Sequence, residues 1–437
     1  MTNNISFSKE AENIIELIQN TDENLFVTGK AGTGKSTLLE YIAKQDHSII
    51  VLAPTGIAAI NVKGETIHSF FRLKPGYELD EAKHVTINDR IRARYTKIHT
   101  VIIDEISMVR ADLLDAIDIF LQRTRRSTKP FGGVRMIFFG DLFQLPPVLL
   151  NQQKEEFLRK YKSPYFFSAH TFIQRDLFSE AFKLRKCELR TIYRQKDPVF
   201  TNLLNSVREN RLENSQLQLL NQQVRVSPTT DNQFQINLVS TNAIAKSINL
   251  DNLKLIKSEE KTFTANHTGN IENLQPNDPE VILKVGAQVM FLNNDPNKRW
   301  VNGTVGKITA FGEGIDEETN QPYPYVAVEL EDGHTVKAAP FTWEISKYSF
   351  KAGNFEREQI GTYTQIPLKL AWAITIHKSQ GKTFNKVKIN LGRGSFAHGQ
   401  TYVALSRCRT LENIALSHPI KQSDIIVDQD VLNFINS

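Results

Sequence analysis

The sequence predicts an α/β protein with two parallel-sheet domains and a small β-barrel inserted in the second. In the first 180 residues, "NLFVTG", "SIIVLAPTG", "HTVIIDE" and "VRMIFFGD" each pair a short apolar run with a polar turn, and a helical pattern follows. Such runs are typical of strands buried on both faces of a parallel sheet. A second set begins with "FKLRKCELR", while residues 284–360 are β-rich with Asn-Gly and Asp-Gly turns. We therefore expect domains at 1–180 and 181–437.

The composition is that of a globular protein without a strongly charged surface. The 437 residues include 53 basic and 48 acidic side chains, which is too even for a purely electrostatic nucleic-acid binder. With Cys187 and Cys408 alone, a disulfide framework and a cysteine-rich zinc site are excluded. No apolar run approaches the ~18 residues of a membrane helix, and the N-terminus lacks a signal pattern. We expect a cytoplasmic protein with no membrane partner.

A phosphate-binding loop is the strongest single motif. "GKAGTGKST" matches GxxxxGK[ST] from Gly29 to Ser36, between a predicted strand and a predicted helix. Its glycines let successive N–H groups surround a phosphate at the helix N-terminus. Lys35 would contact the β- and γ-phosphates of ATP, and the Ser36 hydroxyl would bind Mg²⁺. The less favoured alternative is an ordinary glycine-rich turn.

Two further strand ends carry candidate hydrolytic groups. "VIIDE" ends in Asp104, which we expect to hold Mg²⁺, and Glu105, which we expect to polarise the attacking water. A carboxylate pair that only caps the next helix is the alternative. "GDLFQLPPV" places Gln144 after the next strand, as a γ-phosphate sensor or as an ordinary solvated side chain. The adjacent carboxylates favour hydrolysis over a kinase reaction.

Arginines from outside the first set of strands are candidates to stabilise the transition state. "ELRTIYRQ" contains Arg190 and Arg194, and "YVALSRCR" contains Arg407 and Arg409. A planar guanidinium suits a phosphate clamp. Taken singly, each of them fits a surface ion pair better than a catalytic role.

The stretch "IHKSQGKTF" ends like a second phosphate loop. Ile376 stands where that loop would need its first glycine, five positions before Gly381, so a full cradle cannot form. We expect one nucleotide per chain and a mild effect of Lys382→Ala.

The ordered motifs resemble the Pif-type DNA helicases of superfamily one, type B, and the chain is identified as a bacterial member. Besides the stretches above, the resemblance rests on "APTGIAA", "TIHSFF", "DEISM", "WAITIHKSQGKTF" and "KVGAQVMFLNND" followed by "VNGTVGKI". It covers residues 5–418. It implies two RecA-like domains with ATP in the cleft between them, a wedge at about 66–97, and a Src-homology-three-like barrel at about 292–360. It further implies 5′-to-3′ movement on single-stranded DNA and unwinding of duplexes, forks and G-quadruplexes by a monomer.

The resemblance also assigns roles to individual residues. Catalytic roles fall to Lys35, Asp104, Glu105, Gln144, Arg194 and Arg407. Nucleotide contacts fall to Gly29, Ala31, Gly32, Thr33, Gly34, Lys35, Ser36, Thr37 and Gly381. Mg²⁺ would be held by Ser36 and Asp104, partly through water. DNA contacts fall to Pro54, Thr55, Gly56, His68, Thr241, Asn242, His377 and Ser379. We add Phe71 to these contacts because it lies among basic residues in the predicted insertion.

Two features qualify this assignment. Relatives often carry an adenine-reading Gln where "FSKEAENII" has Ala11, so the preference for ATP is less secure than hydrolysis. His68, Phe70 and Phe71 lie beside Arg72 and could stack on bases, but composition alone favours the core for the two Phe side chains.

Three other functions remain as alternatives. An RNA helicase would use the same backbone-tracking motifs. A DNA-binding ATPase switch would clamp or signal without separating strands, because fold and motif do not prove unwinding. A small-molecule kinase would leave residues 180–437 unexplained.

Overall fold

A computed structural model describes residues 7–76, 78–149, 151–173, 182–195, 197–224, 234–271, 274–316, 320–351 and 354–437. The chain forms two compact units. The first unit contains Met1–Arg194, Ser346–Gln359 and Asp428–Ser437, and the second contains Gln195–Ile345 and Ile360–Val427.

The described residues contain α-helices of 5 to 15 residues. In chain order they are α1 (Lys9–Asn20), α2 (Lys35–Gln45), α3 (Gly56–Asn61), α4 (Ile67–Phe71), α5 (Glu78–His84), α6 (Asp89–Tyr95), α7 (Ala111–Arg125), α8 (Asn151–Lys160), α9 (Pro198–Arg208), α10 (Asn214–Asn221), α11 (Asn242–Leu255), α12 (Gln400–Leu405) and α13 (Gln429–Asn436).

The strands fall into five sheets. In chain order they are β1 (Leu25–Gly29), β2 (Ile50–Ala53), β3 (Glu65–Thr66), β4 (Thr100–Ile103), β5 (Arg135–Gly140), β6 (Arg185–Leu189), β7 (Ile236–Val239), β8 (Glu260–Thr264), β9 (Asn266–Gly269), β10 (Glu280–Lys284), β11 (Gln288–Phe291), β12 (Val305–Ile315), β13 (Pro322–Leu330), β14 (Thr335–Ala338), β15 (Phe341–Lys351), β16 (Asn354–Gln365), β17 (Leu368–Leu370), β18 (Ala373–Thr375), β19 (Val387–Asn390) and β20 (Ile414–Leu416).

The first unit is built on a six-stranded sheet in the order β3-β2-β4-β5-β1-β6. The pairs along it are parallel. All five residues of β1 are buried, as expected for a strand covered on both faces. The carboxyl ends of β4, β5 and β1 lie side by side, and this edge is where ligands bind in such sheets.

One strand of this sheet corrects the sequence interpretation. The segment 182–190 was predicted to begin the second domain, but β6 pairs with β1 from Leu25↔Arg185 to Gly29↔Leu189. The prediction was wrong for this strand because an apolar pattern identifies a strand without identifying its hydrogen-bonding partner. Local sequence carries no information about that pairing.

Helices α1 and α2 pack over the first sheet through a shared apolar cluster. Ala11, Ile14 and Ile18 of α1 are buried with Leu38 of α2. Ser8 caps α1 by accepting a hydrogen bond from the Ala11 N–H at 3.4 Å. Ala11, where an adenine-reading Gln was expected, is therefore part of the core with 5% exposure.

The predicted insertion at 66–97 consists of the short helices α4, α5 and α6, and β4 resumes the sheet at Thr100. Its aromatic side chains form a core of their own. The Phe70 ring lies edge-on to the Tyr95 ring with the centroids 5.6 Å apart, and the Tyr95 ring meets that of Phe120 from α7 at 4.7 Å. The insertion is therefore anchored to the sheet domain through α7.

Two later segments of the chain complete the first unit. In the 346–359 segment, the Tyr348 hydroxyl accepts a hydrogen bond from the Val51 N–H at 3.0 Å, and the Tyr348 N–H donates to Glu65 Oε2 at 2.8 Å. In α13, the Phe434 ring stacks on that of Phe167 at 4.3 Å. Both segments were expected in the second domain, and in the structure they belong to the first unit.

The second unit combines a parallel sheet with antiparallel β structure. The parallel sheet has the order β18-β7-β19-β20, and a five-stranded sheet has the order β14-β13-β12-β11-β17. The pairs of the latter are antiparallel. The core of this β domain contains Val289, Phe291, Trp300 and Val328, with the Phe291 and Trp300 rings stacked at 4.5 Å. The predicted β insertion within an α/β domain is confirmed.

Candidate nucleotide and nucleic-acid sites

The glycine loop connects β1 to α2 with the geometry of an anion cradle. Gly32 and Gly34 have φ values of 85° and 83°, a region that only glycine occupies without strain. A Cβ on Gly32 would also lie 2.4 Å from Cβ of Arg194. No side chain caps α2 at Gly34, and helix N-termini of this kind are where phosphates bind in such loops.

Lys35 lies at the first position of α2 and points back over the loop. Its ammonium group donates to the carbonyl oxygens of Gly29 at 2.6 Å and Lys30 at 3.1 Å. The next two side chains, Ser36 and Thr37, are exposed, while Ala31 and Thr33 are buried within the loop. The loop thus presents a positive charge and a hydroxyl on its open side.

Asp104 and Glu105 follow the end of β4. Asp104 is 9% exposed, and its N–H donates to the Leu52 carbonyl at 2.9 Å. Burial, and next the negative charge of Glu105, raise the pKa of Asp104 to about 7, against the opposing charge of Lys35. A cation next to this carboxylate would relieve that cost. Asp104 and the Ser36 hydroxyl are hard oxygen donors of the kind that Mg²⁺ prefers, so the residues fit this ion.

Few protein ligands are available for such an ion. Among the residues that the structure describes, no group of three or more His, Cys, Asp or Glu could hold a metal.

Gln144 lies beyond the carboxyl end of β5, next to the Asp104 strand. Its side chain is 7% exposed, and its N–H donates to the Asp141 carbonyl at 3.0 Å. Since β4, β5 and β1 are neighbours, Asp104, Gln144 and Lys35 come from the same edge of three adjacent strands. The three residues therefore follow neighbouring strand ends, and their roles in ATP hydrolysis stay predictions.

The segment after β6 lies directly against the glycine loop. The Tyr193 N–H donates to the Gly32 carbonyl at 2.9 Å, and its ring lies 3.8 Å from the position of a Cβ on Gly34. The Tyr193 side chain is 55% exposed. Sequence reasoning selected Arg194 but missed Tyr193. The only available signal was an aromatic residue immediately before the arginine.

Arg407 in the second unit is almost fully buried, with 1% exposure. Its Nε donates to Val403 O at 2.8 Å, and its Nη1 donates to Ser379 O at 3.1 Å and Lys382 O at 3.2 Å. Its Nη2 donates to Ser406 Oγ at 2.7 Å. Arg407 therefore holds the "IHKSQGKT" stretch in place. Its catalytic role stays a prediction.

The predicted DNA contacts of the first unit lie mostly at the surface. Thr55 is exposed, and its hydroxyl caps α3 by accepting from the Ala58 N–H at 3.3 Å, while Pro54 and Gly56 beside it are half-buried. His68 Nε2 lies 3.1 Å from Glu78 Oε1 of α5, with 24% of its side chain exposed.

Phe71 is the exception, and its assignment as a DNA contact was wrong. The Phe71 side chain is fully buried, and its ring meets that of Phe120 at 5.6 Å and that of Tyr95 at 6.2 Å. Phe70 is 1% exposed. The "HSFF" pattern puts both rings into the core of the insertion because burial of aromatic area outweighs their use at a surface.

The predicted DNA contacts of the second unit also include both exposed and buried side chains. Thr241 and Asn242 are exposed, and the Thr241 hydroxyl caps α11 by accepting from the Ile244 N–H at 3.3 Å. His377 is half-buried, which lowers its pKa. Ser379 is fully buried, and its hydroxyl donates to Ile376 O at 2.7 Å. The structure contradicts a DNA contact by the Ser379 side chain, because a local hydrogen bond uses that hydroxyl.

Comparison with known proteins decides the family. The profile of the PIF1-like helicase family matches residues 6–218. The chain is 32% identical over 438 residues to the ATP-dependent DNA helicase Pif1 of Bdellovibrio bacteriovorus, covering 98% of this chain and 92% of that protein. The chain belongs to the PIF1-like helicase family. The resemblance inferred from the motifs is confirmed.

The chain also matches other PIF1-like helicases and solved structures of them. It is 30% identical to PIF1 of Emericella nidulans over 91% of this chain, but it spans only 58% of that longer protein. Unliganded Pif1 from Bacteroides sp. is 38% identical and matches with a TM-score of 0.85 over 99% of this chain and 97% of that one. Bacteroides Pif1 bound to ssDNA matches over the same shares with a TM-score of 0.67. The RecA-like fold is therefore confirmed.

Phe71→Ala is expected to destabilise this PIF1-like protein by about 3–5 kcal/mol, because it opens a cavity among packed rings. Phe396→Ala is a suitable control, since Phe396 is 63% exposed and its loss should cost under about 0.5 kcal/mol. Chemical denaturation measures both. If Phe71→Ala keeps wild-type stability but loses affinity for single-stranded DNA, Phe71 belongs to the binding surface after all.

Lys382→Ala is expected to leave one nucleotide bound per chain and to change ATP turnover only slightly. Burial lowers the pKa of Lys382 to about 8, and its ammonium group donates to Asn302 Oδ1, so it is committed within its own unit. Gly381 beside it is exposed with φ 74°. Titration with a non-hydrolysable ATP analogue gives the stoichiometry. Two sites per chain, with one lost in Lys382→Ala, would establish a second nucleotide site.

No helix within the described part of the chain combines the length and apolar character needed to cross a membrane.

Proposed function

We propose that this chain is an ATP-dependent DNA helicase that uses Mg²⁺ and moves 5′ to 3′ along single-stranded DNA. Its substrates are duplexes, forks and G-quadruplexes, and it acts as a monomer in the cytoplasm. The observation that carries the proposal is the convergence of Lys35, Asp104 and Gln144 at one sheet edge, with Arg194 against the same loop. The relatives named ATP-dependent DNA helicases and the Bacteroides structure with ssDNA support it.

The residues of the loop bind and orient the triphosphate. The N–H groups at the start of α2 surround the phosphates, and Lys35 pairs with the β- and γ-oxygens. Ser36 and Asp104 would hold Mg²⁺, which when bound neutralises charge on the phosphates. These interactions act on groups that become more negative in the transition state, so they lower the barrier.

Hydrolysis requires a positioned water molecule and a further positive charge. Glu105 accepts the proton of the attacking water, and Gln144 orients that water toward the γ-phosphate. Arg194 and Arg407 supply the positive charge. The contact between Arg194 and Gly32 supports this role for Arg194, because it places the arginine backbone at the loop.

We expect this chain to contact the base differently from relatives that read adenine with a glutamine. Ala11 is buried among apolar side chains and offers no amide. The exposed ring of Tyr193 beside the loop provides a face for stacking, and stacking accepts every base. We therefore expect Tyr193 to contribute to affinity for the base with little selection for adenine.

DNA contacts come from equivalent positions in the two units. Thr55 follows β2 and Thr241 follows β7, and each hydroxyl caps the next helix at an exposed turn. Together with His68 and His377 they offer polar groups that follow a backbone without a base-specific pattern. Such contacts are sequence-independent, as a translocating enzyme requires.

Forked duplexes with single-stranded tails test the polarity and the type of nucleic acid. One set carries only a 5′ tail and one only a 3′ tail, each made in DNA and in RNA. The proposal predicts unwinding of the DNA substrate with the 5′ tail and not of the one with the 3′ tail. Unwinding from a 3′ tail would overturn the direction, and a preference for RNA tails would favour the RNA-helicase alternative.

A further inference from the structure

Gln195 is the last residue of the "ELRTIYRQ" stretch, and it is a buried residue with no role in the proposed mechanism. Its side chain is 6% exposed, and its Nε2 donates to the carbonyl oxygens of Cys408 at 3.1 Å and Ser406 at 3.4 Å. These two carbonyls lie on either side of Arg407. The amide therefore bridges the turn that carries this arginine.

The turn needs such a partner because it follows a helix end. Ser406 is the C-cap of α12, and carbonyl groups at a helix C-terminus lack partners within the helix. A glutamine amide has two N–H donors, which suits two acceptors. Gln195 holds the backbone on both sides of Arg407. It therefore restricts the direction in which the Arg407 side chain extends from the backbone.

Gln195 is also the residue that follows Arg194 in the chain. Arg194 is constrained on its other side, since the Tyr193 N–H donates to Gly32 O and the Arg194 backbone packs against Gly32. The peptide between Arg194 and Gln195 joins the first unit to the second. Gln195 is therefore one peptide bond away from a residue that packs against the glycine loop.

We propose that Gln195 is a positioning residue for ATP hydrolysis, acting through Arg407 without touching the nucleotide. The inference rests on the proposed function, in which Arg407 stabilises the transition state. An error of about 1 Å in the placement of a catalytic group can cost about 10²-fold in rate. Loss of the Gln195 amide should therefore lower the rate constant of hydrolysis more than it weakens ATP binding.

Gln195→Met tests the proposal, because it keeps the length of the side chain and removes the donors. We expect kcat for DNA-stimulated ATP hydrolysis to fall about 10- to 100-fold with KM for ATP nearly unchanged. Gln288→Met is the matched control in the same unit. Gln288 is 7% exposed, and its Nε2 donates to Gln235 O at 3.0 Å and Ala371 O at 2.8 Å. It should lose comparable stability and keep kcat.

A double-mutant cycle separates positioning from general destabilisation. In an Arg407→Lys background, Gln195→Met should lower kcat by a much smaller factor than in the wild type, because residues that act through one another are not additive. Gln195→Asn keeps the amide but shortens the side chain, so it should also lower kcat. This variant tests the proposal if Gln195→Met does not fold.

The outcomes distinguish this inference from the proposed function. If the wild type shows no DNA-stimulated hydrolysis, the proposed function itself fails. If the wild type is active and the Gln195 variants retain its kcat, only the positioning role is overturned. Equal losses of kcat in Gln195→Met and Gln288→Met, or full additivity with Arg407→Lys, would also overturn it.

Discussion

Lys35→Ala is expected to abolish ATP turnover and DNA unwinding while the protein stays folded. The ammonium group lies over the loop, donating to Gly29 O at 2.6 Å, and in the proposed mechanism it pairs with the β- and γ-phosphates. Removing one preorganised group of this kind costs about 10²–10³-fold or more in rate. Phosphate release at saturating single-stranded DNA measures the effect, and the thermal midpoint checks the fold.

Lys44→Ala is the matched control for Lys35→Ala. Lys44 lies at the other end of the same helix, 64% exposed, and pairs with Glu40 at 2.9 Å. An exposed pair of this type contributes little to stability, so this variant should keep wild-type turnover. Near-normal DNA-stimulated hydrolysis by Lys35→Ala would show that the assigned nucleotide site is wrong.

Arg194→Ala is expected to lower kcat for ATP hydrolysis about 10³- to 10⁵-fold, the range seen when a transition-state arginine is removed. Binding of ATP should change little, because the charge it stabilises develops mainly in the transition state. Steady-state kinetics with varied ATP separates kcat from KM. Arg190→Ala is the control, since Arg190 is an exposed residue four positions earlier, paired with Glu188 at 3.2 Å.

A change in KM without a change in kcat would contradict the transition-state role of Arg194. If KM rises while kcat is kept, the arginine contributes equally to the ground state and the transition state.

For Arg407 the informative change is Arg407→Lys. This substitution keeps the charge, whereas Arg407→Ala would also remove the hydrogen bonds to Val403, Ser379 and Lys382.

The parts of the site that depend on local sequence could be predicted. The loop from Gly29 to Ser36 needs glycine at the positive φ values of Gly32 and Gly34, and a helix must begin at Lys35. These requirements are visible in the sequence as particular residue types at fixed positions. Asp104 and Gln144 were found for a related reason, because each follows an apolar run that forms a buried parallel strand.

The parts that depend on tertiary packing could not be predicted. Whether Phe71 faces a core or a DNA strand depends on Phe120, which lies 49 positions later and meets it at 5.6 Å. The pairing of β6 with β1 is likewise set by distant backbone groups, and the Ser379 carbonyl accepts from Arg407, 28 positions later in the chain. Gln195 was missed because its partners, Ser406 and Cys408, are more than 200 residues away.

Simultaneous measurement of ATP hydrolysis and strand separation on a forked DNA duplex with a 5′ tail tests the central claim most directly. The account predicts strand separation with ATP and Mg²⁺, and none with a non-hydrolysable ATP analogue or with Lys35→Ala. Vigorous DNA-stimulated hydrolysis by the wild type without strand separation from either tail would contradict it, and would identify the protein as a DNA-activated ATPase switch.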